Sequence, residues 1–217
     1  MTKTSSCPLC FSDKTTLKLA TDKPFKAKYL NCERCQLIFT HPDFLLIQSE
    51  EKERYDFHEN NYEDIGYRNF LSKLIEPIKN FIDRSKYGLD FGCGPGPVLA
   101  KMMREVGYEM DTYDPIYKDD LNNKKYDFIT STEVIEHFHR PRQSFDQIMS
   151  LLQDNGVLGV MTSIYSNEID FKTWHYRNDD THVAFYSDNT MKWIEEFYGL
   201  KPLYKAKNIR IWQKSIS

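Results

Sequence analysis

Runs of apolar residues and the polar breaks between them outline an alternating architecture. Tyr87-Gly-Leu-Asp90 is a short, mostly apolar run; Gly92, Gly94 and Gly96 follow at every second position, and Val98 to Val106 reads as a helix. Strand, glycine loop and helix in that order open a nucleotide-binding α/β unit. Pro97 suits the first helical turn, where its missing N–H loses no partner. Beyond it, Tyr108–Asp114 and Tyr126–Thr132 read as strands, Phe145–Leu152 as a helix introduced by Arg140–Ser144, Asp154-Asn-Gly156 as a turn, and Val157–Met161 as a further strand. Ser187–Tyr198 is a capped helix that should stop at Gly199, and 201–206 and 209–214 read as closing strands. The alternation predicts an α/β fold with a doubly wound, Rossmann-like parallel sheet and an antiparallel C-terminal strand. The connection Lys118–Lys125 is short and polar, so the usual third strand is expected to be reduced or absent.

Upstream, Ser49–His58 reads as a charged helix with aromatic residues. Ile65, Phe70, Leu71, Leu74, Ile75, Ile78 and Ile82 then recur with a helical period between Asp64 and Asp83, with Pro77 expected to kink or divide that helix. Thr15–Leu19 and Lys26–Leu30 are short strand candidates. The expected division is a module over 1–42, linking and capping helices over 43–85, and a cofactor-binding domain over 86–217.

The pairs Cys7-Pro-Leu-Cys10 and Cys32-Glu-Arg-Cys35 flank the two N-terminal strand candidates, with 21 residues between the pairs. Two such knuckles supply four thiolates for a tetrahedral zinc ion. With all four positions taken by protein, the zinc is expected to be structural, and a segment this small needs its folding energy. The module is a zinc ribbon on this reading.

Composition narrows the partners. A 217-residue chain with 40% hydrophobic residues can bury a real core, no apolar run reaches membrane-spanning length, and Met1–Cys7 has no apolar signal core, so the cytoplasm is the default location. Net charge is −3, which argues against a nucleic-acid partner. The charge is uneven: residues 1–40 carry +4 and the rest −7.

The acid in Asp90-x-Gly92-x-Gly94-x-Gly96 distinguishes the loop from a dinucleotide site. It would repel a pyrophosphate, but it can accept from an ammonium group. Glycine lets a ligand approach the backbone, and Cys93 is a small side chain within the loop. Asp114, followed by Pro115 and about twenty residues past the glycines, is placed to take both hydroxyls of a ribose, with Asp111 as the fallback. Asp120 and Leu121 are candidates to flank an adenine. Tyr55, His58, Tyr62, Tyr67 and Arg68 are candidates to cover the cofactor, and packing roles compete for each.

Together "LDFGCGPG", "YDP", "YDFITSTEVIEHF" and "LLQDNGVLGVMT" resemble the class I S-adenosylmethionine (SAM) methyltransferases, in particular the ubiquinone-type methylases. The resemblance implies that Asp90, Gly92, Gly94 and Gly96 hold the methionine end, that Asp114 holds the ribose, and that Thr132, Glu133 and His137 lie near the sulfonium. A two-knuckle zinc module before a SAM domain is similar to the C-methyltransferases of nucleotide deoxysugars. In those a Glu-His pair precedes an aromatic-Ser segment; here Asp180-Thr-His182-Val-Ala-Phe-Tyr-Ser187 keeps the His and has Thr181 in place of the Glu. Some ribosomal-RNA guanine methyltransferases also carry a zinc module.

Methyl transfer from a sulfonium is an in-line displacement, and a base is required only when the acceptor must lose a proton. His182, His137 and His175 are the candidate catalytic residues, with Asp179 or Asp180 available to orient an imidazole. His137 is expected to line the site without titrating. Phe171–Arg177 reads equally as an aromatic lid or as a loop packed on the sheet edge. The leading expectation is a methyltransferase with a small-molecule acceptor. The alternatives are an RNA or protein methyltransferase that grips its substrate with the basic ribbon, and a non-catalytic SAM-binding or zinc interaction module.

Overall fold

The computed structural model describes residues 5–56, 61–118, 121 and 124–216. The N-terminal part forms β1 (Thr15–Thr21), β2 (Ala27–Cys32) and β3 (Ile38–Thr40), an antiparallel meander whose first hairpin lies between the cysteine pairs. Its sheet takes a fourth strand from far along the chain: β8 (Ala184–Phe185) pairs with β3 in the register Ile38↔Phe185 and Phe39↔Ala184.

Two helices lead to the larger sheet. The first, α1 (Gln48–Tyr55), is almost wholly polar and buries only Glu51. It ends three residues before His58, which lies outside the described residues. The second, α2 (Ile65–Ile78), begins where Asp64 accepts from the amides of Gly66 (2.7 Å) and Tyr67 (3.2 Å). It buries Leu71, Leu74, Ile75 and Ile78 on one stripe. Pro77 does not divide it: it occupies the last turn and the helix ends one residue later at Ile78, leaving Ile82 buried in the coil that follows.

The larger sheet contains β4 (Tyr87–Phe91), β5 (Glu109–Tyr113), β6 (Tyr126–Thr132), β7 (Leu152–Met161), β9 (Leu200–Lys205) and β10 (Ile209–Lys214), in the order β5-β4-β6-β7-β10-β9. The first four are parallel, and β10 inserts antiparallel between β7 and β9. Helices α3 (Val98–Glu105), α4 (Pro141–Leu151) and α5 (Asp188–Tyr198) make the crossovers. Ser187 caps α5 and Gly199 ends it in the left-handed region at φ 63°. Among the described residues no strand lies beyond β5, in line with the short polar connection. The expected turn at 154–156 is instead part of β7, with Asn155 at φ 60° and a register shift against β6 absorbing the irregularity. Gly159 is where α2 crosses the sheet: a Cβ there would lie 2.8 Å from Ile78 Cδ1. Asp120 lies outside the described residues, and Leu121 packs on the core and is not among the residues lining the cavity at the strand ends.

Candidate active site

A cavity of about 750 Å³ opens at the C-terminal ends of the parallel strands, where such sheets bind their ligands. Its floor is the loop 90–98, and three further segments close it: 113–117 after β5, 132–140 after β6, and α1 from above.

Each predicted cofactor residue lines this cavity: Asp90, Gly92, Cys93, Gly94, Gly96, Asp114, Pro115, Thr132 and Glu133. Gly92 has φ 81°, and a Cβ on it would fall 2.3 Å from Val134 Cγ1, so the loop after β6 can close on the glycine turn only because no side chain is present. Asp90 is buried and its Oδ1 accepts from Thr130 Oγ1 at 3.0 Å. Burial pushes its carboxyl up to about 6. The Cys93 thiol is pushed up to about 12, chiefly by burial and then by the charges of Asp90 and Asp114, which suits a small neutral side chain and not a nucleophile. Thr132 Oγ1 is buried and has no hydrogen-bond partner among the described residues.

Asp114 performs local work that its sequence position did not announce. Oδ2 accepts from the Gly94 amide (2.9 Å), and Oδ1 from the amides of Ile116 (2.9 Å) and Tyr117 (3.2 Å). It locks the glycine turn and its own loop together, and a carboxylate has acceptor capacity beyond those three bonds. The fallback, Asp111, is turned away from the cavity and held by Tyr87 Oη (2.6 Å), Tyr126 Oη (3.0 Å) and Lys124 Nζ (3.3 Å).

Opposite the glycines the wall is imidazole. His137 Nδ1 lies 3.0 Å from the Thr181 carbonyl and His182 Nδ1 2.7 Å from the Tyr176 carbonyl. A carbonyl only accepts, so each Nδ1 carries hydrogen, and in the neutral form of either ring Nε2 is the basic nitrogen. The two rings are 4.7 Å apart, and Asp179 Oδ2 is 3.8 Å from His182 Nε2. Burial raises the Asp179 carboxyl, but the Thr181 hydroxyl and amide and the nearby imidazoles outweigh it and hold the group below its ordinary range. His175, the third candidate, is not at the site: the 3-10 turn His175–Asn178 buries Tyr176 and Arg177 and leaves His175 exposed, outside the cavity lining.

The segment 171–177 is not a lid: none of its residues lines the cavity, and it packs on the smaller sheet. Phe171, Trp174 and Tyr176 join Tyr29, Ile38 and Phe185 in one buried aromatic cluster. Of the residues expected to cover the cofactor, Tyr55 and Tyr67 line the cavity, whereas Tyr62 and Arg68 are tied to Glu105 outside it. The closing helix α1 is fastened by polar ties: Glu51 Oε1 to His139 Nε2 (2.7 Å), Arg54 Nε to Asp180 (3.3 Å), and Asp56 accepting from Tyr117 Oη (2.7 Å). Sequence reasoning passed over Glu136 and Tyr176. Glu136 is fully buried three residues after Glu133, and the Tyr176 hydroxyl contacts both carboxyls. The one available signal was an acid repeated at the spacing of a 3-10 turn inside an apolar stretch.

Remote from the cavity, the four cysteines of the ribbon converge. Cys7 Sγ and Cys35 Sγ are 3.5 Å apart, Cys10 Sγ and Cys32 Sγ 3.4 Å, and all four are buried with their sulfurs within 4.8 Å of one another. Tetrahedral thiolate ligation at the usual zinc–sulfur length sets the sulfurs about 3.8 Å apart, so the cluster fits a zinc ion. A second group, Glu136, His137 and His182, also meets the spacing of metal ligands.

A family model described as a methyltransferase domain matches residues 64–205. No curated protein matches the chain. Among solved structures, a Galdieria sulphuraria protein provisionally named a sarcosine dimethylglycine methyltransferase superposes with a TM-score of 0.54 at 17% identity, over 72% of this chain and 74% of that one. Human N-acetylserotonin methyltransferase, solved in complex with SAM, superposes with a TM-score of 0.53 at 13% identity, over 76% of this chain and 57% of that one. At such identities the likeness is one of fold. The family match covers well over half of the chain, and with it the sequence and the sheet order agree: this chain belongs to the methyltransferase-domain family and is a class I SAM-dependent methyltransferase.

Proposed function

We propose that the protein methylates a small-molecule acceptor, with His182 as general base and the zinc ribbon in a structural role. The observation that carries this reading is the opposition, across one cavity, of the glycine loop and an imidazole whose Nδ1 is committed to a backbone carbonyl.

SAM bound in the cradle supplies an electrophilic methyl group on a sulfonium. Asp90 would hold the ammonium of its methionine part, the glycines 92, 94 and 96 would admit the chain to the backbone, and Asp114 would offer its remaining acceptor capacity to the ribose. Thr132 Oγ1, buried without a hydrogen-bond partner among the described residues, is a ready polar contact for a ligand in the cradle. On the far wall, His182 Nε2 would take the proton that the acceptor loses on receiving the methyl group, and the Asp179 carboxylate, 3.8 Å from that nitrogen, would stabilise the imidazolium. His137 lines the same wall. The α1 helix over the cavity limits water, and holding both partners in line is where most of the rate would come from, on the order of 7–11 kcal/mol at best. A cavity of about 750 Å³ is of the size that holds small molecules, and the names of the two structural relatives refer to small-molecule acceptors.

The ribbon cysteines Cys7, Cys10, Cys32 and Cys35 would fill every zinc position, so the metal would supply folding energy and no open coordination site.

The test is transfer of a labelled methyl from SAM into separated pools of metabolites, RNA and protein. Label is expected in the metabolite fraction, with His182→Gln lowering kcat by 10²–10⁴ while SAM affinity stays within a factor of three. Label confined to RNA or protein would overturn the acceptor class, and an unchanged kcat in the variant would remove His182 as base.

A further inference from the structure

The proposed reaction uses His182 and the loop after β6 as separate walls of one cavity, yet one side chain joins them. Tyr176 is buried and does not line the cavity. Its carbonyl accepts the Nδ1 hydrogen of His182 at 2.7 Å, and its ring packs 4.2 Å from that imidazole. Its hydroxyl touches Glu136 Oε1 and lies 3.0 Å from Glu133 Oε2, 3.1 Å from Thr162 Oγ1 and 3.4 Å from the Ser163 amide. Thr162 Oγ1 donates in turn to Glu136 Oε2 at 2.9 Å.

A phenol has one hydrogen. If Tyr176 gives it to Glu136, then the 3.0 Å approach of Glu133 is attractive only when Glu133 carries a hydrogen of its own and donates it to the phenol oxygen. Two carboxylates on one hydroxyl, Glu136 fully buried and Glu133 half-buried at the cavity edge, disfavour carrying two negative charges at once. The chain Glu133–Tyr176–Glu136, with Thr162 on the far oxygen, therefore holds one proton between two acids. Burial, and after it the charge of Glu136, pushes Glu133 up to about 9, in agreement with the geometry. Glu133 also sits at φ 50°, a conformation costly for a side chain-bearing residue, which persists where the surroundings impose it.

We propose that Tyr176 is the positioning residue of this active site: its hydroxyl bridges Glu133 and Glu136 and so fixes the loop against the glycine turn, while its carbonyl holds the Nδ1 hydrogen of His182 and so selects the tautomer with Nε2 as the basic nitrogen. The inference deepens the methyl-transfer reading and rests on it for its purpose. Val134, next to Glu133, is the residue that closes on Gly92, so a shift of the bridge is felt at the cofactor floor. The charged and titratable groups that face this cluster are His137 and Asp179 beside His182, Glu136 within 4.8 Å of both imidazoles, Tyr55 near Glu136 and Tyr67 near Glu133. The bridge and the imidazole wall therefore share Glu136, and a change at the Tyr176 hydroxyl is felt at His182 through it.

Infrared spectra and nitrogen-15 histidine spectra of wild type, Tyr176→Phe, Glu133→Gln and Thr162→Val at pH 8 test this. Wild type is expected to show the carbonyl band of a protonated carboxyl, lost in Glu133→Gln and displaced in both Tyr176→Phe and Thr162→Val. The His182 resonances, assigned by His182→Gln, are expected to show hydrogen on Nδ1 in wild type and to move in Tyr176→Phe. A Tyr176→Phe protein that folds but keeps both signatures would overturn the proposal. If Tyr176→Phe does not fold, an undisplaced band in Thr162→Val overturns it instead. SAM binding to wild type is measured in parallel. Absence of SAM binding with the signatures as described would count against the cofactor cradle alone, whereas SAM binding with no protonated-carboxyl band would count against the bridge alone.

Discussion

Asp90 shows how one residue carries opposite demands. Burial raises its carboxyl from the ordinary 3.8 to about 6. Its contribution to the stability of the ligand-free protein is therefore fully present below pH 3.8 and is lost as pH rises through 6. Two pH units correspond to about 3 kcal/mol, an order-of-magnitude cost borne at neutral pH to keep a charge ready for an ammonium group. Asp90→Asn should accordingly raise the melting temperature of the ligand-free protein more at pH 8 than at pH 5, while weakening SAM binding at least tenfold. In wild type, SAM affinity should fall below pH 6 by up to tenfold per unit, and in the Asn variant this dependence should vanish. Calorimetry and thermal scans across pH check both, and a SAM affinity indifferent to Asp90 would remove it from the cradle. Gly92 makes a simpler demand. With φ 81° and a Cβ position 2.3 Å from Val134, Gly92→Ala should destabilise the fold by roughly 1–3 kcal/mol and weaken SAM binding together with it; denaturant unfolding measures the first effect.

At the scale of elements, the short strand β8 ties the ribbon to the active site. It pairs with β3, the Thr40 amide donates to the Val183 carbonyl (2.8 Å), and the Val183 amide donates to the Glu136 carbonyl (2.8 Å). His182 is thus adjacent to a residue held from both sides, by the ribbon and by the loop after β6. Once the protein is loaded with zinc, stripping the metal with a chelator, or Cys32→Ser, should raise amide exchange at Val183, Ala184 and Phe185 at least tenfold while the amides of β4 and β6 keep their protection. Unchanged exchange at β8 would show the ribbon to be a separate appendage. This coupling was not legible in the chain: a two-residue strand has no periodicity, and its partner lies about 145 positions upstream. The elements with strong local signals were legible. Asp90 through Val106 announced strand, turn and helix, and Ser187 and Gly199 marked the ends of α5 because capping chemistry is local. Pro77 and Asn155-Gly156 were misread because tertiary packing decided whether a breaker ends, bends or merely perturbs its element.

For the whole molecule, the cofactor half of the site was readable and the acceptor half was not. The glycine loop and Asp114 are neighbours in pattern as well as in space, whereas Glu136 meets Tyr176 and His182 only because two segments about 40 residues apart fold together, and His175 was drawn in merely as a histidine near the right segment. The central claim is that the two ends of the parallel sheet's crevice form one SAM cradle, with Asp90 and Asp114 on the same ligand. Titration calorimetry of the full chain with SAM and with S-adenosylhomocysteine tests it most directly, on wild type and on Asp114→Ala. Wild type should bind both ligands at one site per chain, and loss of a charge-assisted contact of roughly 1.5–3 kcal/mol should weaken each by ten- to a hundredfold in the variant. Heat-silent wild type with either ligand, or an Asp114→Ala protein that binds them as tightly as wild type, would contradict it.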